Sequence, residues 1–227
     1  MRIPQRAHLA LIAAVAVFAL AGCTPSDNAD AEPSASPSVE PTPPAAATAS
    51  VVIGGTAISA VAADGSVIDT APYLDDAEQA MDLLNDAFQQ LPVLTERMTD
   101  SSCIADATIA TWGDSFAIEY DKEFGPPWGT FDVISTGPAV GDVAVTTQSG
   151  LGVGAPLAEL EASLPGVHTV LYDYSGVSQV HYDVGGGEWV APDSPDAIMV
   201  DYWGAAALAE GGTVTRLVAP VPYYDAC

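Results

Sequence analysis

The residues with the most chemistry in this chain are few and far apart. His168 and His181 are predicted to lie on the two arms of one hairpin, "HTVLYDYSGVSQVHYDV", turning at Ser175–Gly176. Two imidazoles on paired strands make half of a metal site. Zinc needs further Cys, His or carboxylate ligands at fitting geometry, and no other Cys or His is left to supply them, so no metal site is expected. Lys122 follows Glu119, Tyr120 and Asp121, which rules out a Ser-x-x-Lys nucleophile, and there is no Gly-x-Ser-x-Gly elbow. "GLGVGAP" (150–156) lacks the lysine and spacing of a phosphate loop and reads as a tight turn into a helix. "GGGEWVAPDSPD" lacks the alternating acids of a calcium loop. Among 30 acids, no pair is singled out by spacing for glycoside hydrolysis. No cofactor is expected.

Cys23 has a different setting from Cys103 and Cys227. Arg2 and Arg6 precede "LALIAAVAVFALAG" (9–22), an uncharged run of 14 residues, too short to span a membrane at about 20 apolar residues. "LAGC" (20–23) is similar to a bacterial lipobox, which predicts a signal peptide over 1–22, cleavage before Cys23 and a diacylglyceryl group on its sulfur. Two acyl chains hold a protein to a bilayer where one holds it only marginally, at ~0.8 kcal/mol per buried methylene. Arg2 and Arg6 are not adjacent, so a twin-arginine route is not expected. Cys103 and Cys227 then form an even pair in an oxidising compartment and are expected to make a disulfide. Closing so long a loop stabilises by roughly 5 kcal/mol in the chain-entropy account.

From Cys23 onward, the only strong bases are Arg97, Lys122 and Arg216, against 30 acids, a formal charge of −27. Nucleic acid is excluded as a partner, because phosphate binding needs clustered Lys or Arg. Anionic headgroups would repel this chain, leaving the lipid on Cys23 as the contact with the membrane. The acids are dispersed rather than in runs, which fits a solvated surface.

The elements that must position these groups follow from patterning. Residues 24–50 hold six prolines, four acids and no aromatic residue, so they cannot bury enough apolar surface to fold. With Cys23 they form a tether (23–50), able to reach about 80 Å in an extended polyproline conformation. The domain is expected over 51–227. "VVIGGTAISAVAADGSVID" reads as strands around an Asp64–Gly65 turn. A helix follows, with Ala77, Ala80, Met81, Leu84, Phe88 and Leu91 on one face, Asp75 as cap and Pro92 as stop. "ATIATWGDSFAIEYD" is a hairpin across Gly113–Asp114, and "TFDVIST" is a strand.

The second half repeats the order. A strand and glycine turn lead to a helix begun by Pro156, with Leu157, Leu160 and Leu164 on one face. The His168–His181 hairpin follows, then strands near "DAIMVDYW" and "TVTRLVAP". The fold class expected is therefore α+β: two helix-plus-antiparallel-sheet units, 51–139 and 140–227, from a degenerate internal duplication.

The order of lipobox, Pro/Ala/Ser tether and acidic domain resembles cell-envelope lipoproteins of actinobacteria. "TQSGLGVGAPLAELEASLPG" (147–166) is similar to repeat units of small α+β envelope modules of the outer-membrane assembly lipoprotein and β-lactamase-inhibitor-like families. That resemblance implies action by binding other proteins, and it carries no site residue across. Trp128 in "FGPPWGT" and Trp189 in "GGGEWVAP" sit in Gly/Pro-rich connections, where a large ring can anchor an interface or stack on a sugar. They are the candidate binding surface, whereas Trp112 and Trp203, inside strands, are expected in the core. The function expected is an extracytoplasmic, membrane-anchored lipoprotein that binds an envelope protein or glycan without catalysis. The alternative is a small carboxylate-dependent hydrolase acting on wall glycan or peptide.

Overall fold

The computed structural model describes residues 46–98, 106–120, 130–164, 166–172, 177–186 and 202–221. They build a mostly β domain of two sheets with two short helices. The smaller sheet has five strands in the order β3-β2-β1-β9-β8: β1 (Thr48–Ile53), β2 (Ala57–Ala62), β3 (Val67–Pro72), β8 (Ala139–Val140) and β9 (Val143–Thr146). The larger has eight, in the order β10-β11-β12-β13-β7-β6-β5-β4. These are β4 (Val93–Arg97), β5 (Ala107–Trp112), β6 (Phe116–Tyr120), β7 (Phe131–Ser135), β10 (His168–Tyr172), β11 (Val177–Gly186), β12 (Tyr202–Glu210) and β13 (Thr213–Ala219). The first strand takes in Thr48–Ser50, which composition assigned to the tether.

The two expected helix-plus-sheet units do not exist. β1 pairs in parallel with β9, and β13 pairs antiparallel with β7, so each sheet draws strands from both halves of the chain. The expected division at 139/140 falls inside β8. The physical reason is that no half can satisfy its own sheet. β1 has β2 on one side and its other edge open until β9 arrives, and β7 is in the same position towards β13.

Local structure follows the patterning closely. In β2, Ile58, Ala60 and Ala62 point inward while Ser59 and Val61 point out, the period of two that buries one face of a strand. The Asp64–Gly65 turn forms, with Gly65 at φ 84° and the Asp64 carboxylate accepting from the Ser66 N–H at 2.9 Å. The Gly113–Asp114 hairpin also forms, pairing Trp112 with Phe116. Helix α1 (Ala77–Phe88) is capped by Asp76, one residue later than expected, whose carboxylate accepts from the Glu78 N–H at 3.1 Å. It ends at Phe88 through Gln89 in the left-handed region (φ 53°), not at Pro92, and Leu91 is left 81% exposed.

α1 packs on β1, β2 and β3 and wedges against the larger sheet. Phe88 meets Phe116 edge-on at 5.3 Å and Trp112 at 6.2 Å, and the buried Trp112 indole donates to Asn85 Oδ1 at 3.1 Å. Tyr73 meets Phe131 edge-on at 5.3 Å, tying the turn before α1 to β7. The second helix, α2 (Leu157–Ser163), sends Leu160 and Leu164 into the same core. Its entry is held to β13 by Gly154 N–H donating to Val214 O, and to the turn before β13 by Leu157 N–H donating to Gly212 O.

Candidate functional site

The two sheets are joined at the turn between β1 and β2. Gly54, Gly55 and Thr56 make that turn, and β11 reaches it through a bulge: three steps from Tyr182 to Gly185 oppose two from Ala205 to Trp203 on β12. Asp183 lies in the bulge at φ 51°, a conformation more open to Asp and Asn than to most residues. Its Oδ2 accepts from the Gly55 N–H at 2.6 Å and from Gln148 Nε2 at 3.1 Å. Tyr182 donates to Ile53 O at 3.3 Å and Tyr73 donates to Gly54 O at 3.0 Å. Burial pushes both phenols well up, so they stay protonated and act as fixed donors. The glycines are required by this approach. A Cβ on Gly55 would stand 2.1 Å from Asp183 O, and one on Gly54 would stand 3.2 Å from Asp183 Oδ2.

Above this joint, the outward face of the smaller sheet forms an open groove of about 590 Å³. Ser50 and Val52 on β1, Ser59 and Val61 on β2, and Thr70 on β3 lie across its floor, and Thr147, Gln148 and Asp183 close the end nearest the bulge. Ser59 and Thr70 share a hydrogen bond at 3.0 Å, and Thr147 Oγ1 is 2.9 Å from Ser149 Oγ. Asp183 is the only ionisable side chain among the described residues lining the groove. Its surface is made of small methyls and hydroxyls with a carboxylate–amide pair at one end. That arrangement suits neutral polar groups.

The glycine motif of 150–156 is structural. Thr147 N–H donates to Leu151 O at 2.8 Å, Gly150 and Gly154 have φ of 79° and 89°, and a Cβ on Gly152 would stand 2.5 Å from Val145 O. His168 and His181 do face each other across β10 and β11. His181 is buried, and that burial, with His168 beside it as a lesser cause, pushes its imidazole down to about 4. No group of three or more His, Cys, Asp or Glu able to hold a metal occurs among the described residues. Trp112 is in the core as expected. Trp203 lies on β12.

Cys23, Cys103, Cys227, Trp128 and Trp189 lie outside the described residues. The groove residues were not anticipated from sequence. The available signal was the Gly54–Gly55 pair between two strands with small residues at alternate positions, Ser50 and Val52, then Ala57, Ser59 and Val61. Asp183 carried no sequence signal.

No protein-family model, curated protein or solved structure matches the chain.

Proposed function

We propose that this chain is a cell-envelope lipoprotein, anchored outside the cytoplasm through Cys23, whose β domain binds an envelope protein or glycan and catalyses nothing. The observation that carries the binding role is the groove over β3, β2, β1 and β9. It is open, spans several strands and offers hydroxyls and small methyls. Among the described residues it has one carboxylate, Asp183, whose Oδ2 accepts from Gly55 and Gln148. General acid–base or nucleophilic chemistry needs a titratable partner within hydrogen-bond reach, whereas recognition of a polar ligand needs the array that is present. The tether would hold this face away from the bilayer.

The test combines fractionation with site-directed photo-crosslinking in cells. Cys23→Ala should move the protein out of the membrane fraction or leave it unprocessed, and full membrane retention would overturn the anchor. A photo-crosslinking residue at Ser59, in the groove, should trap a discrete adduct that the same residue at the exposed Ser163 on α2 does not. Equal adducts at both positions, or none at Ser59, would overturn the groove as the binding face.

A further inference from the structure

The groove changes character along its length. At the joint end, Asp183 and Gln148 are both exposed and stand over Gly54, where a Cβ would lie 3.2 Å from Asp183 Oδ2 and 3.7 Å from Gln148 Nε2. Strand pairing then lays two rows across the floor. The nearer runs Thr70–Ser59–Val52–Thr146, three hydroxyls around one isopropyl group. The farther holds Val67, Val61 and Ser50, towards the Asp64–Gly65 turn, and Val67 is 62% exposed there. Gly54 follows Ser50 by four residues, about 13 Å of extended chain.

The floor suits neutral groups, but its polar end is a pair of acceptors. Gln148 Nε2 donates to Asp183 Oδ2 at 3.1 Å. Because a carboxylate oxygen accepts and only the amide nitrogen donates, that bond fixes which way the amide faces, and Gln148 offers its carbonyl oxygen beside it. Asp183 takes two hydrogen bonds through Oδ2, where a carboxylate has about four acceptor positions, so it keeps capacity for more. A group that satisfies two adjacent acceptors, one of them charged, is a cation with several N–H donors, and an ammonium has three. The formal charge of −25 favours a cation here and disfavours an anionic ligand. Thr147, Gln148 and Asp183 close this end, so a chain lying in the groove has to begin there. Beyond it, hydroxyls for amide groups give way to methyls for small aliphatic side chains.

We infer that the groove captures the free N-terminus of a partner protein, an inference that rests on the groove being the binding face proposed above. The α-ammonium bonds Asp183 and the Gln148 amide oxygen. The next residues, with small aliphatic side chains, run over Ser59 and Val52 to Val61 and Val67.

The probe is a tetrapeptide of alternating alanine and valine with a free amino terminus and a C-terminal fluorescein, read by anisotropy against the full chain. Saturable binding is expected. N-acetylation removes the ammonium and should weaken binding at least tenfold, and so should replacement of the valines by glycine. Gln148→Lys sets the protein's own cation beside Asp183 and should cost a similar factor at the parent melting temperature. Val61→Thr, at the far end, should erase the preference for valine over glycine while leaving the effect of acetylation intact. Equal binding of the acetylated and free peptides would overturn the ammonium site, and equal binding of the glycine peptide would reduce the effect to charge alone and overturn the inference. Recovery of binding by a lysine placed within the acetylated peptide would overturn the assignment to a terminus. Tighter binding of a neutral N-acetylglucosamine tetrasaccharide would overturn it in favour of glycan. A Ser59 adduct in cells with none of these peptides bound would overturn this inference and leave the groove as the binding face, whereas absence of both would remove the face itself.

Discussion

The carboxylate of Asp183 accepts the backbone N–H of Gly55 at 2.6 Å across 128 residues of sequence. This bond fastens the bulge of β11, in the larger sheet, to the β1–β2 turn of the smaller one, beside the end of the groove. Tyr182, the neighbouring residue, donates to Ile53 O, so two consecutive residues of β11 grip the last residue of β1 and the turn that follows it.

Among the described glycines, Gly55 should be the one least tolerant of an added methyl. Its Cβ would stand 2.1 Å from a backbone oxygen, and one sheet would have to move from the other. A loss of about 3 kcal/mol or more is expected, against about 1 kcal/mol for Gly54→Ala, whose nearest contacts are at 3.2 Å. Urea unfolding of the two variants checks the ranking, which a similar loss for both would refute.

Asp183→Ala removes a charged acceptor from a backbone N–H and from Gln148, and should cost about 2 kcal/mol. Asp183→Asn keeps an acceptor oxygen and tolerates the positive φ, so it should cost about half as much. Thermal melts at neutral pH measure both. Protection of the Gly55 amide from hydrogen exchange should fall furthest in the alanine variant.

His181 makes folding sensitive to acid. Its folded pKa, about 4, is below the ordinary value of 6.5, so between these values the unfolded chain binds the extra proton and the folded one does not. Its stability contribution is therefore complete above about pH 6.5 and is lost as the pH falls towards 4. The loss amounts to about 3 kcal/mol for a shift of that size. His181→Gln should flatten the slope of stability against pH within that window relative to the parent chain. An unchanged slope would show that other groups control it.

Cys103 and Cys227 are predicted to be bridged. Thiol labelling of the folded, unreduced protein should modify neither, and reduction should lower stability by roughly 5 kcal/mol less any native strain. Labelling of both without reductant would exclude the disulfide.

The hairpins were legible because turn chemistry is local. Gly113–Asp114 and Asp64–Gly65 each bend the chain within a few residues, and the period of two on either side sets the register. The same logic places His168 opposite His181, as the structure has them. The first helix was legible from its period, although its buried face also takes in Leu83 and Ala87, and its ends differ from expectation. There Asp75 and Asp76 compete for one cap, and the left-handed Gln89 stops the helix before Pro92 can. The groove was less visible, because Ser50, Ser59 and Thr70 share a face only after β1, β2 and β3 are aligned.

By itself, then, the sequence determined where the chain turns, which faces of its strands and helices are apolar, and that the domain carries a large excess of acid. It did not determine which strands become neighbours. An edge such as β1 or β7 accepts any strand of suitable length and face, and the choice of β9 and β13 depends on how the whole core closes around Trp112, Phe88 and Tyr73. The division into two repeated units failed for that reason. For the same reason Asp183, an unremarkable acid among 30, became the pin between the sheets: only tertiary packing brings its bulge within 2.6 Å of Gly55.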